Sequence, residues 1–227
     1  MSAPTVEELK AAKLIEGPHV LFSGTFTVEF LEPPPTLNAT VLMRASYTQN
    51  PLGKSHPQSP PLHLHFDQSE TFLVTQGLLG TTTTYDAVDN SWTSENTPYE
   101  FPPWMPHRFW PHPEAKEDTV MYVWAHPDGV EEPMDWLFFS NLLRYISDVA
   151  EKKRVMDPFY VMTAQHASAT ALVWFPRVKW LGPLRWWLPW KFQGGIAWVA
   201  KMMGYRALLK EYTPKEEWEA YLHAKRA

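Results

Sequence analysis

The chain has 227 residues, 44% of them hydrophobic and 20% charged, a composition that buries a sizeable core and excludes a disordered polymer. A net charge of −5 and a pI of about 6.0 exclude the basic footprint that nucleic-acid binding requires. No cysteine is present, which excludes disulfides, thiolate metal sites and cysteine nucleophiles, so any metal must sit on nitrogen and oxygen.

The N-terminal sequence lacks the basic start and apolar run of a signal peptide, and no stretch reaches the roughly 18 apolar residues of a membrane span. A cytoplasmic location is expected. Thr5 to Ile15 read as a short helix, with Thr5 as N-cap, Glu8 three positions on and Gly17-Pro18 as the stop. From Val20 to about Ala125 short β-branched and aromatic runs alternate with Pro, Gly, Asn and Asp clusters, the pattern of about eight strands. After Asp128 apolar residues fall at helical spacing, predicting a helix over 133–152. Between Phe159 and Lys210 there is no Asp or Glu, while seven Lys or Arg and six of the twelve Trp occur. A terminal amphipathic helix follows over 213–226, opened by Thr213 and Pro214. The expected organisation is a lead-in over residues 1–18, a β-barrel over 19–130, and a helical, Trp-rich extension over 131–227 that packs on it.

The segment HLHFDQSETFLVTQG carries the chemistry. On a strand, residues i and i+2 share a face, so His63 and His65 can meet one metal ion at about 2 Å from each nitrogen. Glu70 lies past the bend at Asp67-Gln68-Ser69, and the next strand can return it to the same cavity. FPPWMPHRFW supplies a fourth candidate: the stiff turn from Pro102 to Pro106 delivers His107 into a strand. Three imidazoles and a carboxylate leave coordination positions open. The competing reading has these histidines hydrogen-bonded inside a barrel that works without metal.

These residues resemble the cupins. The first cupin motif, G(x)5HxH(x)3-4E(x)6G, matches His63, His65, Glu70 and Gly77; the second, PxGxxHxxxN, matches Pro102 and His107. Pro57, Trp104 and Pro111 stand where those motifs have Gly, Gly and Asn. The resemblance covers about residues 20–127. It implies a mainly β fold, a single jelly-roll barrel, with His63, His65, Glu70 and His107 as ligands of a divalent ion: Fe, Mn, Zn, Ni, or none if the barrel works empty. Jelly rolls of this kind often pair through their sheets, so a homodimer is expected. The plan is similar to that of small stand-alone cupins in fungal secondary metabolism, which implies a tailoring step on a polyketide or terpenoid.

The strand alternation that turns Glu70 and His107 inward also turns in Phe72, Val74 and Phe109, and with Trp124 these are the expected walls of an apolar substrate pocket. His63, His65 and His107 are the candidate catalytic groups, with Arg44, Tyr47 and Tyr122, and Asp67 beside them, as candidates for orienting substrate or moving protons. Several chemistries fit. Fe(II) would suit oxygenation, and a redox-inert ion would suit Lewis-acid isomerisation, dehydration, cyclisation or decarboxylation. A metal-free barrel could template a cyclisation or pericyclic reaction, and a non-catalytic module could simply bind a hydrophobic ligand. Residues 174–198 have the composition of a peripheral membrane contact. The preferred reading gives them instead to covering Leu62, Leu64 and Phe66 on the outer face of their strand.

Overall fold

The structure, a computed structural model, describes residues 4–224. Helix α1 (Val6–Lys10) opens on a reciprocal cap: the Thr5 hydroxyl accepts from the Glu8 amide at 3.2 Å, and the Glu8 carboxylate accepts from the Thr5 amide at 2.8 Å. The helix is shorter than the expected Thr5 to Ile15, because Leu14 already pairs with Leu31. Strand β1 (Leu14–Leu21) contains Gly17-Pro18 instead of stopping before it. Pro18 is tolerated because β1 is an edge strand with register shifts at this point. Gly17 is required there, since its φ is +106° and a Cβ would lie 2.9 Å from the Val28 carbonyl oxygen.

The barrel continues with β2 (Phe26–Leu31), β3 (Val41–Tyr47), β4 (His63–His65), β5 (Ser69–Gln76), β6 (Leu79–Thr83), β7 (Val88–Trp92), β8 (Tyr99–Phe101), β9 (His107–Pro111) and β10 (Thr119–His126). The sequence predicts about eight strands in this region; the chain divides it into ten. Helices α2 (Trp136–Ala150) and α3 (Pro158–His166), strand β11 (Thr170–Leu172), and helices α4 (Leu184–Met202) and α5 (Lys215–Ala224) complete it. Lys225 and Arg226, at the end of the expected terminal helix, lie outside the described residues. The strands form two antiparallel sheets, β1-β2-β3-β10-β5-β8 and β11-β4-β9-β6-β7. They face each other as a jelly roll. The extension is thus not purely helical, because β11 pairs with β4 and becomes the edge of the second sheet.

Two-residue alternation sorts the side chains. Phe26, Val28 and Phe30 of β2, Met43, Ala45 and Tyr47 of β3, Phe72 and Val74 of β5, and Met121 and Val123 of β10 fill the interior. The outer face of the first sheet presents Leu31, Leu42, Leu73, Tyr122 and Trp124, which Leu9 of α1 and Leu37 cover. The outer face of the second presents Leu62, Leu64, Ala171 and Val173, and here Trp186 and Trp190 of α4 pack, with Phe66 between them. Helix α2, capped by Asp135 accepting from the Phe138 amide at 2.7 Å, adds Phe138 and Tyr145 to the interior cluster.

Gly77 closes β5 with φ +78°, and a Cβ there would lie 2.7 Å from the Asp118 carbonyl oxygen and 2.8 Å from the Thr119 Cα. Both contacts are to backbone that cannot swing away. Gly77→Ala is therefore expected to destabilise the fold by about 2 to 4 kcal/mol, the sum of left-handed strain and overpacking. A shift of the urea midpoint at unchanged slope would show it; an unshifted midpoint would contradict the contact.

Candidate metal centre

Three of the four candidate ligands come from one sheet and the fourth from the other. His63 and His65 project inward from β4, and His107 lies opposite His63 in the β4-β9 ladder. Their ring centroids form a near-equilateral triangle with sides of 5.0, 4.8 and 5.1 Å. Glu70 reaches them from β5 across the barrel, its Oε2 lying 2.9 Å from His107 Nε2 and 3.7 Å from His65 Nε2. One ligand atom from each of the four residues lies within 4.8 Å of the others, so the cluster is able to hold a metal ion.

Each imidazole is oriented from behind. His63 Nδ1 lies 2.9 Å from the Pro61 carbonyl oxygen and His107 Nδ1 2.9 Å from that of Met105. A carbonyl only accepts, so both Nδ1 atoms carry the proton. His65 Nδ1 lies 3.0 Å from Thr170 Oγ1, its cross-strand neighbour on β11. The Ser168 hydroxyl donates to the Gln165 carbonyl, which leaves the Thr170 proton for Ser168 and makes Thr170 the acceptor from His65. In the neutral rings all three Nε2 atoms therefore present bare lone pairs. His107 Nε2 lies 2.9 Å from the Glu70 carboxylate, and His65 Nε2 is buried without a hydrogen-bond partner. Nitrogen and oxygen atoms converging in this way suit a cation among them.

The electrostatics agree. Burial, with His107 and His65 alongside, pushes His63 well below its ordinary value. Burial and His107 lower His65 as well, against the opposing pull of Glu70. Burial would raise Glu70, but its contacts with His107 and His65 override that and hold the carboxyl well below the usual carboxylate range. His63 and His65 are thus held neutral beside a carboxylate, the protonation states that metal binding needs.

A cavity of about 110 Å³ adjoins the cluster. Its walls are Phe26, Met43, Phe109, Met121 and Val123 from the barrel and Phe138, Phe139, Leu142 and Leu143 from α2, with Gln58, Gln165 and Thr170 as its polar points. Several sequence expectations are corrected here. Arg44 is exposed and pairs with Glu29 at 3.1 Å outside the barrel. Tyr122 sits opposite Arg44 in the ladder and so shares that outer face. Trp124, two residues on, packs under α1 instead of in the pocket. Asp67 is exposed. Phe72 and Val74 do point inward, but they pack within the interior cluster and do not line the cavity as Phe109 does. Tyr47 is inside, yet its hydroxyl donates to Gln58, and burial together with the charge of Glu70 raises its pKa. It therefore positions Gln58 as a phenol and is no proton acceptor.

The sequence reading omitted Gln58, Gln165, Thr170 and the α2 wall. Only α2 had a signal, its apolar spacing, and that spacing does not say what the helix covers. Trp104 stands where the cupin motif has Gly and adopts φ +70°. Its amide donates to the His65 carbonyl at 2.8 Å. Its ring lies 4.7 Å from Phe66 and 5.0 Å from Trp186, packing that offsets the left-handed backbone.

No protein-family model matches the chain. It is 35% identical over 156 residues to the oxidoreductase iacF of Pestalotiopsis fici, covering 68% of this chain and 74% of the relative. The chain belongs to the family of that oxidoreductase. Another member, the probable oxidoreductase virH of Hypocrea virens, is 31% identical over 177 residues, with 76% of each chain covered. The epoxidase atD of Aspergillus terreus is 26% identical and is spanned over 62% of its length. Members of this family are enzymes, which sets aside the non-catalytic binding module. Among solved structures, the polyketide cyclase RemF of Streptomyces resistomycificus is similar at 18% identity and a TM-score of 0.36, over 56% of this chain and 81% of that one.

Because the folded pKa values of His63 and His65 lie below their ordinary 6.5, the unfolded chain binds more protons as pH falls below that value, and stability declines. Glu70, held below its ordinary 4.5, adds to the loss further down. The melting temperature is expected to be level near pH 7 to 8 and to fall below about pH 6.5, less steeply in His63→Gln. A profile that stays level to about pH 5 would contradict buried neutral imidazoles.

Proposed function

We propose that this chain is a metal-dependent oxidoreductase that tailors a compact, mostly apolar metabolite of polyketide or terpenoid character. The observation that carries the proposal is the convergence of three imidazoles and one carboxylate, one ligand atom from each lying within 4.8 Å of the others. His63, His65, Glu70 and His107 would hold the ion, and a set of three nitrogens and one oxygen suits a first-row metal such as Fe(II). Bound there, such an ion supplies redox chemistry and Lewis acidity at its open positions. The names of the relatives, two oxidoreductases and an epoxidase, support oxidation over the isomerisation and cyclisation readings.

The chain's own residues do the positioning. Pro61, Met105 and Thr170 fix the three imidazoles from behind. Phe138, Phe139, Leu142 and Leu143 of α2 wall off the cavity, exclude water and favour an apolar substrate. Gln165 Oε1 is buried without a partner while lining the cavity, and it selects a substrate with a hydroxyl or similar donor to place there. The cavity is smaller than the roughly 300 to 1,000 Å³ of drug-sized sites, hence a compact substrate.

Two measurements test this reading. The purified chain should bind about one equivalent of a divalent first-row metal, and His63→Ala with His65→Ala should bind almost none. A native host carrying that double variant should accumulate a less oxidised metabolite than one carrying the wild-type gene. Unchanged metabolites from the double variant would remove the metal-centred mechanism and favour substrate templating in the barrel. Separately, Thr170→Val keeps the side-chain shape but removes the acceptor behind His65, and it should weaken metal affinity by about 10- to 100-fold in a competition titration with a chromogenic chelator. Unchanged affinity would show that Thr170 does not orient the ligand.

A further inference from the structure

Helix α4 is turned inside out relative to an ordinary surface helix, whose apolar stripe faces the core. Its buried positions are Pro189, Gln193, Ala197 and Ala200, mostly small or polar. Its large apolar residues, Leu184, Trp187, Leu188, Phe192, Trp198 and Met202, are exposed and recur at helical spacing on the opposite side. The loop before it adds Phe175 and Trp180, 66% and 83% exposed. Interleaved with these are the exposed cations Arg177, Lys179, Lys191 and Lys201. This face belongs to a segment, Phe159 to Lys210, without a single acidic residue, on a chain whose net charge is −5. Lys179 alone of these four has an acidic partner among the described ion pairs, Asp86 at 3.3 Å.

We infer that this face docks peripherally on an anionic lipid bilayer. Charge decides the occupant. A symmetric dimer through this face would set the same patch against itself, cations on cations, with no acidic residue in the segment to relieve them. An anionic leaflet complements the cations, and Trp and Phe side chains partition to the depth at which headgroups meet acyl chains. The exposed apolar residues run from Leu184 to Met202 with Lys191 and Lys201 among them, so the helix lies in the plane of the interface. Among the described residues no helix is long and apolar enough to cross a membrane. Trp186 and Trp190, in contrast, pack inward on the barrel, so the tryptophans of one segment divide between the core and the lipid.

Flotation of the full chain with vesicles tests this. With vesicles of phosphatidylcholine and phosphatidylserine the chain should float at low salt and be released at high salt. With phosphatidylcholine alone it should stay largely in the dense fraction. Lys191→Ala with Lys201→Ala should lower the partition coefficient by about 30-fold at two cations near the surface, and Phe192→Ser with Trp198→Ser should abolish flotation. Both pairs lie on exposed positions and should leave the melting temperature unchanged. A wild-type chain that remains in the dense fraction with both vesicle types would overturn the proposal. So would a dimer in sedimentation that Phe192→Ser with Trp198→Ser dissociates, by assigning the face to a second copy.

Discussion

The arrangement around His63, His65 and His107 turns on where three protons are spent. Each Nδ1–H is committed to an acceptor behind its ring, the carbonyls of Pro61 and Met105 and the hydroxyl of Thr170. The Nε2 atoms are then left facing inward beside Glu70. Desolvation makes this costly unless a positive charge compensates it. The rest of the barrel serves that placement. The turn at Pro102 to Pro106 brings His107 opposite His63, the β5 strand carries Glu70 over from the other sheet, and aromatic rings close in behind. Phe101 stacks on the His107 ring at 4.4 Å.

The cluster of His63, His65, Glu70 and His107 was legible because strand periodicity has only two phases. His63 and His65, two apart on a β-branched and aromatic run, must share a face, and Gly77 and Pro102 mark turns with few alternatives. The same periodicity could not say which face of the next strand looks inward. Arg44 and Tyr122, candidates for orienting substrate or moving protons, and Trp124, expected in the pocket, all lie on the outer face, part of which is buried under α1. Gly17-Pro18 read as a helix stop for a related reason: a bulged edge strand tolerates both residues, and local sequence does not reveal an edge.

What the sequence left open lies mostly in long-range contacts. Gln165 and Thr170 carry no spacing relation to the histidines they serve, and α2 announces an apolar stripe without naming the cavity it walls. The Trp-rich segment held two readings at once, and the structure makes room for both. Trp186 and Trp190 satisfy the outer face of β4, while Trp180, Trp187 and Trp198 remain turned away from the barrel. One segment with a strongly biased composition thus meets two different environments on its two sides.

The bond from His65 to Thr170 spans 105 residues. A jelly roll ending at residue 130 would contain every candidate ligand and still lack the acceptor that sets one ring's tautomer. On the ribosome, the ligands emerge well before the strand that orients His65, so the centre cannot reach its final geometry until β11 has been synthesised and added to the sheet edge. The extension is in this sense part of the centre's assembly, and the competent site waits for β11.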